Sequence, residues 1–172
     1  MFDAVLFDLD GTLADTAPDL CGTVNILLTE EGRPQQPFAS LRPHTSQGVR
    51  GLLGQVFGID SAHHEYERLA ARFLEIYAGQ LCDLSRLFDG IPDLLDALES
   101  HGIAWGIVTN KRARYTEPLV AALGLVPRTR CVVSGDTTAE AKPSPLPILH
   151  ACALLDCAPR RTLYVGDDRR DI

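Results

Sequence analysis

Four short apolar runs alternate with amphipathic segments along the chain. The runs cover residues 4–7, 104–108, 131–133 and 162–165. Each run leads directly into a small or polar cluster, namely "DLDGT", "TNK", "SGD" and "GDD". Buried parallel strands are continuously apolar and end in loops in this way. The pattern therefore predicts four buried parallel strands.

Helical patterns lie between the predicted strands. The segment "PDLLDALESHG" has Pro92 near its first turn and Gly102 as a stop, and "YTEPLVAALG" closes on Gly124. "SPLPILHACALL" offers Ser144 as an N-cap and Pro145 as its first helical residue. Strands that alternate with helices indicate an α/β fold, here a Rossmann-like doubly wound parallel sheet with helices on both faces.

The block at 16–87 breaks this alternation because its pattern is helical throughout. Its predicted helices cover about 17–31, 46–57 and 62–81. We interpret it as an all-helical cap subdomain inserted into a core formed by 1–15 and 88–172. Loops carry function on a rigid scaffold, so an insert that follows "DLDGT" is expected to act as a lid over the site formed there.

The composition is that of an acidic globular protein and excludes some partners. The 172 residues carry a formal net charge of −7 and have a pI near 5.1. Nucleic-acid-binding proteins gather Lys and Arg on a basic face, and this chain has no such stripe. The five cysteines show no C-x-x-C spacing, and no segment approaches the ~18 apolar residues of a membrane span. We expect a cytoplasmic protein with neither nucleic-acid nor membrane partners.

The polar residues after the strands suggest phosphoryl transfer. Ligands of open α/β sheets bind at the carboxyl ends of the strands, where Asp8, Thr109 and Asp167 lie. An Asp carboxylate can attack phosphorus as a covalent nucleophile. Mg²⁺ takes one or two carboxylates together with a substrate phosphate. We therefore expect a magnesium-assisted reaction on a small phosphate ester.

Neighbouring residues supply the remaining groups. Asp10, crowded by other carboxylates, suits a general acid, and Thr12 can hold its loop by a hydrogen bond. The hydroxyl of Thr109, the amide of Asn110 and the charge of Lys142 suit phosphoryl oxygens. Taken singly, each pattern also fits a turn, a cap or a solvated lysine. Their order along the chain favours the chemical interpretation.

These motifs resemble those of the haloacid dehalogenase superfamily of phosphatases, in which "DLDGT", "IVTN", Lys142 of "AKPSP" and "VGDDRRD" match four successive motifs. The resemblance implies Asp8 as nucleophile and Asp10 as acid and then base, with Thr109 and Lys142 binding phosphate. It also implies Mg²⁺ bound by the Asp8 side chain, the Asp10 backbone carbonyl and Asp167. Asp168 and Asp171 would be supporting carboxylates. Asp10 favours phosphoester chemistry over carbon–halogen cleavage.

Two branches of the superfamily resemble this chain. The overall pattern is similar to phosphoglycolate phosphatases, whereas "LFDG", "WGIVTNK" and "VGDDRRDI" are also similar to proteobacterial N-acetylmuramic acid 6-phosphate phosphatases. We expect the cap to choose the substrate. The candidates to contact the leaving group lie in "SLRPHTSQGVRGLL" and are Arg42, His44, Ser46, Gln47 and Arg50.

Relatives of this kind continue past the position of Ile172 through a helix and a further strand. We therefore expect the C-terminal part of the core to be missing from these 172 residues. A sheet edge would then be exposed, through which copies of the chain could associate. The leading hypothesis is a Mg²⁺-dependent phosphatase, phosphoglycolate phosphatase-like. The alternatives are N-acetylmuramic acid 6-phosphate phosphatase, a sugar-phosphate mutase and a truncated non-catalytic fragment.

Overall fold

The computed structural model describes residues 2–171, which form two compact units. The first unit contains the chain up to Asp15 and from Arg86 onward, and the second is Thr16–Ser85. The second unit thus ends two residues before the predicted cap boundary at 87. The two extra core residues, Arg86 and Leu87, belong to a short strand that pairs within the first unit.

In chain order the elements are β1 (Ala4–Phe7), β2 (Ala14–Asp15), α1 (Ala17–Glu30), α2 (Phe38–Leu41), a 3₁₀ segment (Arg42–Gln47), α3 (Gly48–Phe57), α4 (Tyr66–Gly79), β3 (Arg86–Leu87), α5 (Ile91–Ser100), β4 (Ala104–Val108), α6 (Ala113–Ala122), β5 (Val132–Val133), α7 (Leu146–Leu154), a 3₁₀ turn (Pro159–Arg161), β6 (Thr162–Val165) and a last 3₁₀ turn (Arg169–Asp171). Within residues 2–171, the helices are all too short or too polar to cross a membrane.

A parallel four-stranded sheet in the order β5-β4-β1-β6 organises the first unit. The chain runs outward from β1 through β4 to β5, and then returns to the other side of β1 as β6. The direction of winding therefore reverses at β1. This is the switch point at which open α/β sheets form their ligand sites, and it confirms the predicted Rossmann-like fold.

Both faces of the sheet carry buried apolar residues, which explains why the strands are apolar runs. On one face Leu6, Val108 and Val133 pack against Ala151 and Cys152 of α7. On the other face the rings of Phe7 and Trp105 meet edge to face, with centroids 6.4 Å apart. Full burial of such side chains contributes about 1.5–3 kcal/mol each.

A second, two-stranded sheet marks both places where the chain passes between the units. Strands β2 and β3 pair antiparallel, with Ala14 opposite Leu87 and Asp15 opposite Arg86. The backbone N–H of Phe88 extends the ladder by donating to the carbonyl of Leu13 at 3.1 Å. The departing and returning strands are thus fixed side by side.

The second unit is helical, with α1, α3 and α4 packed around its own core. The largest of its fully buried side chains are Tyr77, Phe73, Leu27, Leu28, Leu41, Leu52 and Leu53. The third helix begins at Gly48 rather than near 46, because Arg42–Gln47 forms a 3₁₀ segment ahead of it. Exposed ion pairs join α4 to α1, with Arg68 on Glu31 and Arg72 on Glu30.

One buried carboxylate ties the last residues of the second unit to its first helix. Asp19, 3% exposed on α1, accepts the backbone N–H of Leu84 at 2.9 Å through Oδ1. Its Oδ2 accepts the backbone N–H and the hydroxyl of Ser85, at 2.8 and 2.5 Å. Three hydrogen bonds to one carboxylate satisfy donors that would otherwise be buried without a partner.

We expect Asp19→Asn to lower the free energy of unfolding by about 1–3 kcal/mol. The NH₂ group of the new amide would replace a carboxylate oxygen that accepts a hydrogen bond, so two donors would meet. Urea denaturation of the whole chain measures the change. Glu67→Gln, an exposed substitution on α4 in the same unit, is the matched control and should stay within about 0.5 kcal/mol of wild type. Equal stability of Asp19→Asn and this control would contradict the role given to Asp19.

Candidate active site

Most of the predicted site residues come together at the carboxyl ends of three adjacent strands, β4, β1 and β6. Strand β1 ends immediately before Asp8, β4 ends immediately before Thr109, and β6 ends two residues before Asp167. Because β1 lies between β4 and β6, the loops that follow its neighbours flank Asp8 on both sides.

Asp8 is a buried carboxylate with a free coordination position. It is 8% exposed, and its Oδ1 atom is buried without a hydrogen-bond partner among the described residues. The ammonium of Lys142 lies 3.0 Å from this atom and forms an ion pair with it. Burial raises the pKa of Asp8 to about 6, a shift opposed by the charge of Lys142 and increased by that of Asp10.

Two further carboxylates approach Asp8. Oxygen atoms of Asp8, Asp167 and Asp171 all lie within 4.8 Å of one another. Both carboxylate oxygens of Asp171 already accept hydrogen bonds. Its Oδ1 accepts one from the Lys142 ammonium at 2.6 Å, and its Oδ2 accepts one from the backbone N–H of Asp168 at 3.0 Å. Asp8 and Asp167 are therefore better placed to offer oxygens to a ligand, and Asp171 to hold Lys142.

This donor set fits a hard divalent cation such as Mg²⁺. Carboxylate oxygens are the protein ligands that Mg²⁺ prefers, and those of Asp8, Asp167 and Asp171 lie close enough together to bind one ion. It would also offset the repulsion among three gathered carboxylates.

The loop after β1 is shaped around Asp167. Gly11 has a backbone φ of +87°, and a Cβ on it would lie 2.4 Å from Oδ2 of Asp167. The hydroxyl of Thr12 donates to Oδ1 of Asp167 at 3.3 Å, which joins the loop after β1 to the loop after β6. Glycine is needed at 11 both for the left-handed backbone and for the close approach.

Lys142 is held at the centre of the site. It is 5% exposed, and its ammonium donates to the carbonyl of Val108 at 2.9 Å, to the Tyr164 hydroxyl at 2.5 Å and to Asp171 at 2.6 Å. These bonds use all three of its hydrogens. Its positive charge also acts on Asp8, at 3.0 Å.

Asn110 contacts Lys142 rather than standing free for a ligand. Its Oδ1 accepts the backbone N–H of Lys142 and its Nδ2 donates to the carbonyl of the same residue, both at 2.9 Å. A side-chain amide matches a peptide group in donor and acceptor, so Asn110 pairs with the backbone of Lys142 through both of its polar atoms. Asn110 fixes the backbone that carries Lys142.

Sequence reasoning missed Tyr164 as a member of the site. Its hydroxyl lies 2.9 Å from the carbonyl of Val108 and 3.2 Å from Asp171, and the Lys142 ammonium is 5.1 Å from the centre of its ring. Burial, reinforced by Asp8 and Asp171, raises the pKa of Tyr164. The available signal was its place two residues before "GDD", but a tyrosine in an apolar strand indicates core packing equally well.

Asp10 and Thr109 share a second lysine as a neighbour. The ammonium of Lys111 donates to Oδ1 of Asp10 at 2.9 Å, and its backbone N–H donates to the Thr109 hydroxyl at 3.2 Å. Sequence reasoning gave Lys111 no role, although it stands directly after Thr109 and Asn110 in "TNK".

Asp168 is directed toward Arg170. Its Oδ1 accepts both the backbone N–H and the Nε of Arg170, at 2.9 and 2.7 Å. These contacts hold the pKa of the Asp168 carboxyl below its usual value. Asp168 thus binds within its own turn, while its backbone N–H orients Asp171.

Among the cap candidates, three share one cavity of the second unit. His44, Gln47 and Arg50 line a space of about 290 Å³. The guanidinium of Arg42 lies 5.5 Å from the centre of the Phe38 ring, and Ser46 belongs to the same 3₁₀ segment. The cavity borders Gly51, where a Cβ would come within 2.4 Å of the His44 carbonyl oxygen.

We expect Gly11→Ala to weaken Mg²⁺ binding about 10–100-fold, the cost typical of disturbing a ligand's support. The added methyl must displace the Asp167 carboxylate, and the backbone at 11 becomes strained by about 1–2 kcal/mol. The Mg²⁺ dependence of the melting temperature measures the effect. Gly79→Ala is the control, because no neighbouring residue lies within 4 Å of the new Cβ, and it should bind Mg²⁺ as wild type does. Equal affinities of wild type, Gly79→Ala and Gly11→Ala for Mg²⁺ would contradict the prediction.

Burial of the Asp8 charge makes a second, pH-dependent prediction. The pKa of Asp8 in the folded protein is about 6, above the value of 3.8 for a free Asp. Between about pH 4 and 6 the folded state therefore binds more protons than the unfolded state, and the free energy of unfolding falls as pH rises. Asp8→Asn removes this cost. In a chelator at pH 7.5 it should therefore be more stable than wild type, by on the order of 1–3 kcal/mol.

The measurement is urea denaturation at several pH values between 4 and 7.5. The advantage of Asp8→Asn should grow across the window from about 4 to 6 and stay constant above it. Asp93→Asn, which neutralises an exposed carboxylate of α5, serves as the control. A variant less stable than wild type at pH 7.5 would mean that attraction to Lys142 outweighs burial.

Comparison with known proteins agrees with this geometry. The family model of haloacid dehalogenase-like hydrolases matches residues 5–172. A phosphoglycolate phosphatase of Xanthomonas campestris is 45% identical over 170 residues, covering 98% of this chain and 76% of the relative. An N-acetylmuramic acid 6-phosphate phosphatase of Pseudomonas aeruginosa is 43% identical over 169 residues, covering 98% and 75%.

A solved structure extends the likeness to three dimensions. The crystal structure of a predicted phosphoglycolate phosphatase from Haemophilus somnus superposes with a TM-score of 0.82 at 28% identity, over 99% of this chain and 79% of the other. The prediction of a phosphatase similar to the phosphoglycolate phosphatases is confirmed by these relatives. The chain belongs to the haloacid dehalogenase-like hydrolases.

Proposed function

We propose that this protein is a Mg²⁺-dependent phosphomonoester hydrolase that works through an aspartyl-phosphate at Asp8. The observation that carries the proposal is the buried Oδ1 of Asp8, which lies 3.0 Å from the Lys142 ammonium at the carboxyl end of β1. An oxygen kept open beside a fixed positive charge suits attack on an anionic phosphoryl group.

The reaction has two displacement steps. In the first, Asp8 forms a bond to phosphorus while the ester P–O bond breaks, and Asp10 gives its proton to the departing alkoxide. In the second, Asp10 takes a proton from water as the water oxygen bonds to phosphorus. The bond between phosphorus and Asp8 then breaks, which releases inorganic phosphate and restores the Asp8 carboxylate and the protonated carboxyl group of Asp10.

Mg²⁺ would be held by the side chains of Asp8 and Asp167 and the backbone carbonyl of Asp10. When bound, it neutralises charge that accumulates on the phosphoryl oxygens. Thr109 would bind one of those oxygens by donating its hydroxyl hydrogen, since the hydroxyl oxygen accepts the N–H of Lys111. Lys142 supplies a fixed charge beside the nucleophile.

Phosphoglycolate-like esters are the leading substrates, since the Xanthomonas campestris relative carries that name at 45% identity. The name of the Pseudomonas aeruginosa relative, at 43% identity, makes N-acetylmuramic acid 6-phosphate the second candidate. We propose that the leaving group is recognised by Arg42, His44, Ser46, Gln47 and Arg50, of which His44, Gln47 and Arg50 line one cavity.

Two minor expectations accompany the proposal. We propose a cytoplasmic enzyme that acts on a small molecule rather than on nucleic acid or membranes. We also propose that copies of this chain associate through β6, a strand at the edge of the sheet. Its Leu163 and Val165 are 40% and 36% exposed, and exposed apolar edge strands favour pairing with another chain.

Phosphate release from a panel of esters tests the function. We expect the chain with Mg²⁺ to release phosphate from phosphoglycolate or N-acetylmuramic acid 6-phosphate faster than from hexose phosphates. A chelator should abolish release, and Asp8→Asn should lower it by at least about 10³-fold, because the nucleophile is gone.

Asp93→Asn, far in sequence from the motifs and exposed, should retain wild-type activity. Circular dichroism shows that each variant is folded. Conversion of one sugar phosphate to another without net phosphate would indicate a mutase instead. Absence of any reaction by the folded chain would favour the non-catalytic alternative and contradict the proposal.

A further inference from the structure

The chain contains two lysines against fourteen arginines, and both lysines lie at the site. Lys142 stands 3.0 Å from Asp8, and Lys111 stands 2.9 Å from Asp10. Each of the two aspartates of "DLDGT" thus has a lysine of its own. Lysine is a compact point charge and suits a single carboxylate oxygen, whereas arginine prefers to bind two oxygens at once.

The position of Lys111 is fixed from its backbone outward. Its N–H donates to the Thr109 hydroxyl at 3.2 Å, and its carbonyl accepts the hydroxyl of Thr116 at 3.0 Å and the N–H of Gly135 at 2.9 Å. These three bonds attach the residue to the loop after β4, to the first turn of α6 and to the loop after β5. The ammonium therefore extends from a rigid base.

The ion pair itself is shielded from solvent. The Lys111 side chain is 10% exposed and that of Asp10 is 22% exposed. Surface ion pairs contribute little, but a pair in a low-dielectric surrounding is held more firmly. A side chain held at one end by three backbone bonds and at the other by a charge has little freedom to turn.

Asp10 needs such a restraint because another carboxylate of the same motif, that of Asp8, repels it. The charge of Asp10 acts on Asp8 strongly enough to contribute to the raised pKa of Asp8, and the repulsion is mutual. Without an opposing cation, the Asp10 carboxylate would be displaced toward solvent. A general acid that is displaced by 1 Å loses much of its effect, because proton transfer requires hydrogen-bond distance to the leaving oxygen.

We propose that Lys111 is the positioning residue of Asp10, holding its carboxyl group where it meets the leaving-group oxygen. This inference rests on the proposed function. Lys111 acts through Asp10 and takes no part in bonding to phosphorus. Its loss should therefore affect esters in proportion to how much their leaving group needs a proton.

Leaving-group dependence separates this role from a merely structural one. The leaving group of p-nitrophenyl phosphate departs as a stable phenolate and needs little protonation, whereas an alkoxide needs a full proton. We expect Lys111→Met to lower kcat/KM for the alkyl ester that wild type hydrolyses best by about 10²-fold or more, the usual contribution of general acid catalysis. For p-nitrophenyl phosphate the loss should stay below about threefold.

Two further variants complete the test. Lys111→Arg keeps a cation that can reach Asp10 and should recover most of the alkyl-ester activity. Arg112→Met removes a charge from the adjacent, exposed residue and should leave both esters unaffected. In an Asp10→Asn background, Lys111→Met should cause less than about a threefold further loss of alkyl-ester activity, since residues that act as a unit are not additive.

Equal loss on both esters would overturn the proposal and assign Lys111 to phosphate binding or to folding. A folded wild type that releases phosphate from neither ester would overturn the proposed function and this role with it. The two failures are therefore distinguishable.

A measurement without turnover tests the contact itself. Because the chain has two lysines, ¹⁵N labelling of lysine gives two ammonium NMR signals, which Lys111→Met assigns. In metal-free protein, Asp10→Asn should shift the Lys111 signal and leave that of Lys142 in place, and Asp8→Asn should do the reverse. A Lys111 signal that does not respond to Asp10→Asn would overturn the proposal.

Discussion

The gathering of carboxylates at one edge of a sheet is the constraint on which the remaining structure depends. Asp8, Asp167 and Asp171 have oxygens within 4.8 Å of one another. Asp10, in the loop after β1 as Asp8 is, adds a further negative charge that acts on Asp8. Like charges at such distances repel by several kcal/mol in a protein interior. The surrounding residues relieve this repulsion, while the buried oxygen of Asp8 is kept open.

Two lysines and their supports provide most of that relief. The ammonium of Lys142 is oriented by hydrogen bonds to Val108, Tyr164 and Asp171. The side chain of Asn110 forms two hydrogen bonds with the backbone of Lys142. The backbone of Lys111 is held by hydrogen bonds to Thr109, Thr116 and Gly135. The charged groups are therefore already oriented in the folded protein. Electrostatic catalysis depends on this, because such groups need no reorganisation when the reaction occurs. Tyr164 and Asn110 matter here although neither is a charged group.

The sequence predicts those parts of the structure that depend on a pattern within a short segment of the chain. Strands 4–7, 104–108 and 162–165 are apolar runs and lie where the pattern places them, because both faces of the sheet are buried. Strand β5 is one residue shorter than predicted, and the segment before Gly48 is 3₁₀ rather than α-helix. The contacts of Lys111 with Asp10 and of Tyr164 with Lys142 join residues 101 and 22 positions apart. No periodicity encodes such contacts, because the sheet order creates them.

The pairing of β2 with β3 has an architectural consequence. Asp15 and Arg86 are direct neighbours across this ladder, so the whole of Thr16–Ser85 leaves and rejoins the core at a single point. An insertion whose ends meet costs the host little conformational entropy, and that cost grows only slowly with the length inserted. The core could therefore exchange one helical insert for another of different size while the strand register and the charged cluster persist. Chemistry and substrate choice would then be free to evolve on separate parts of one chain.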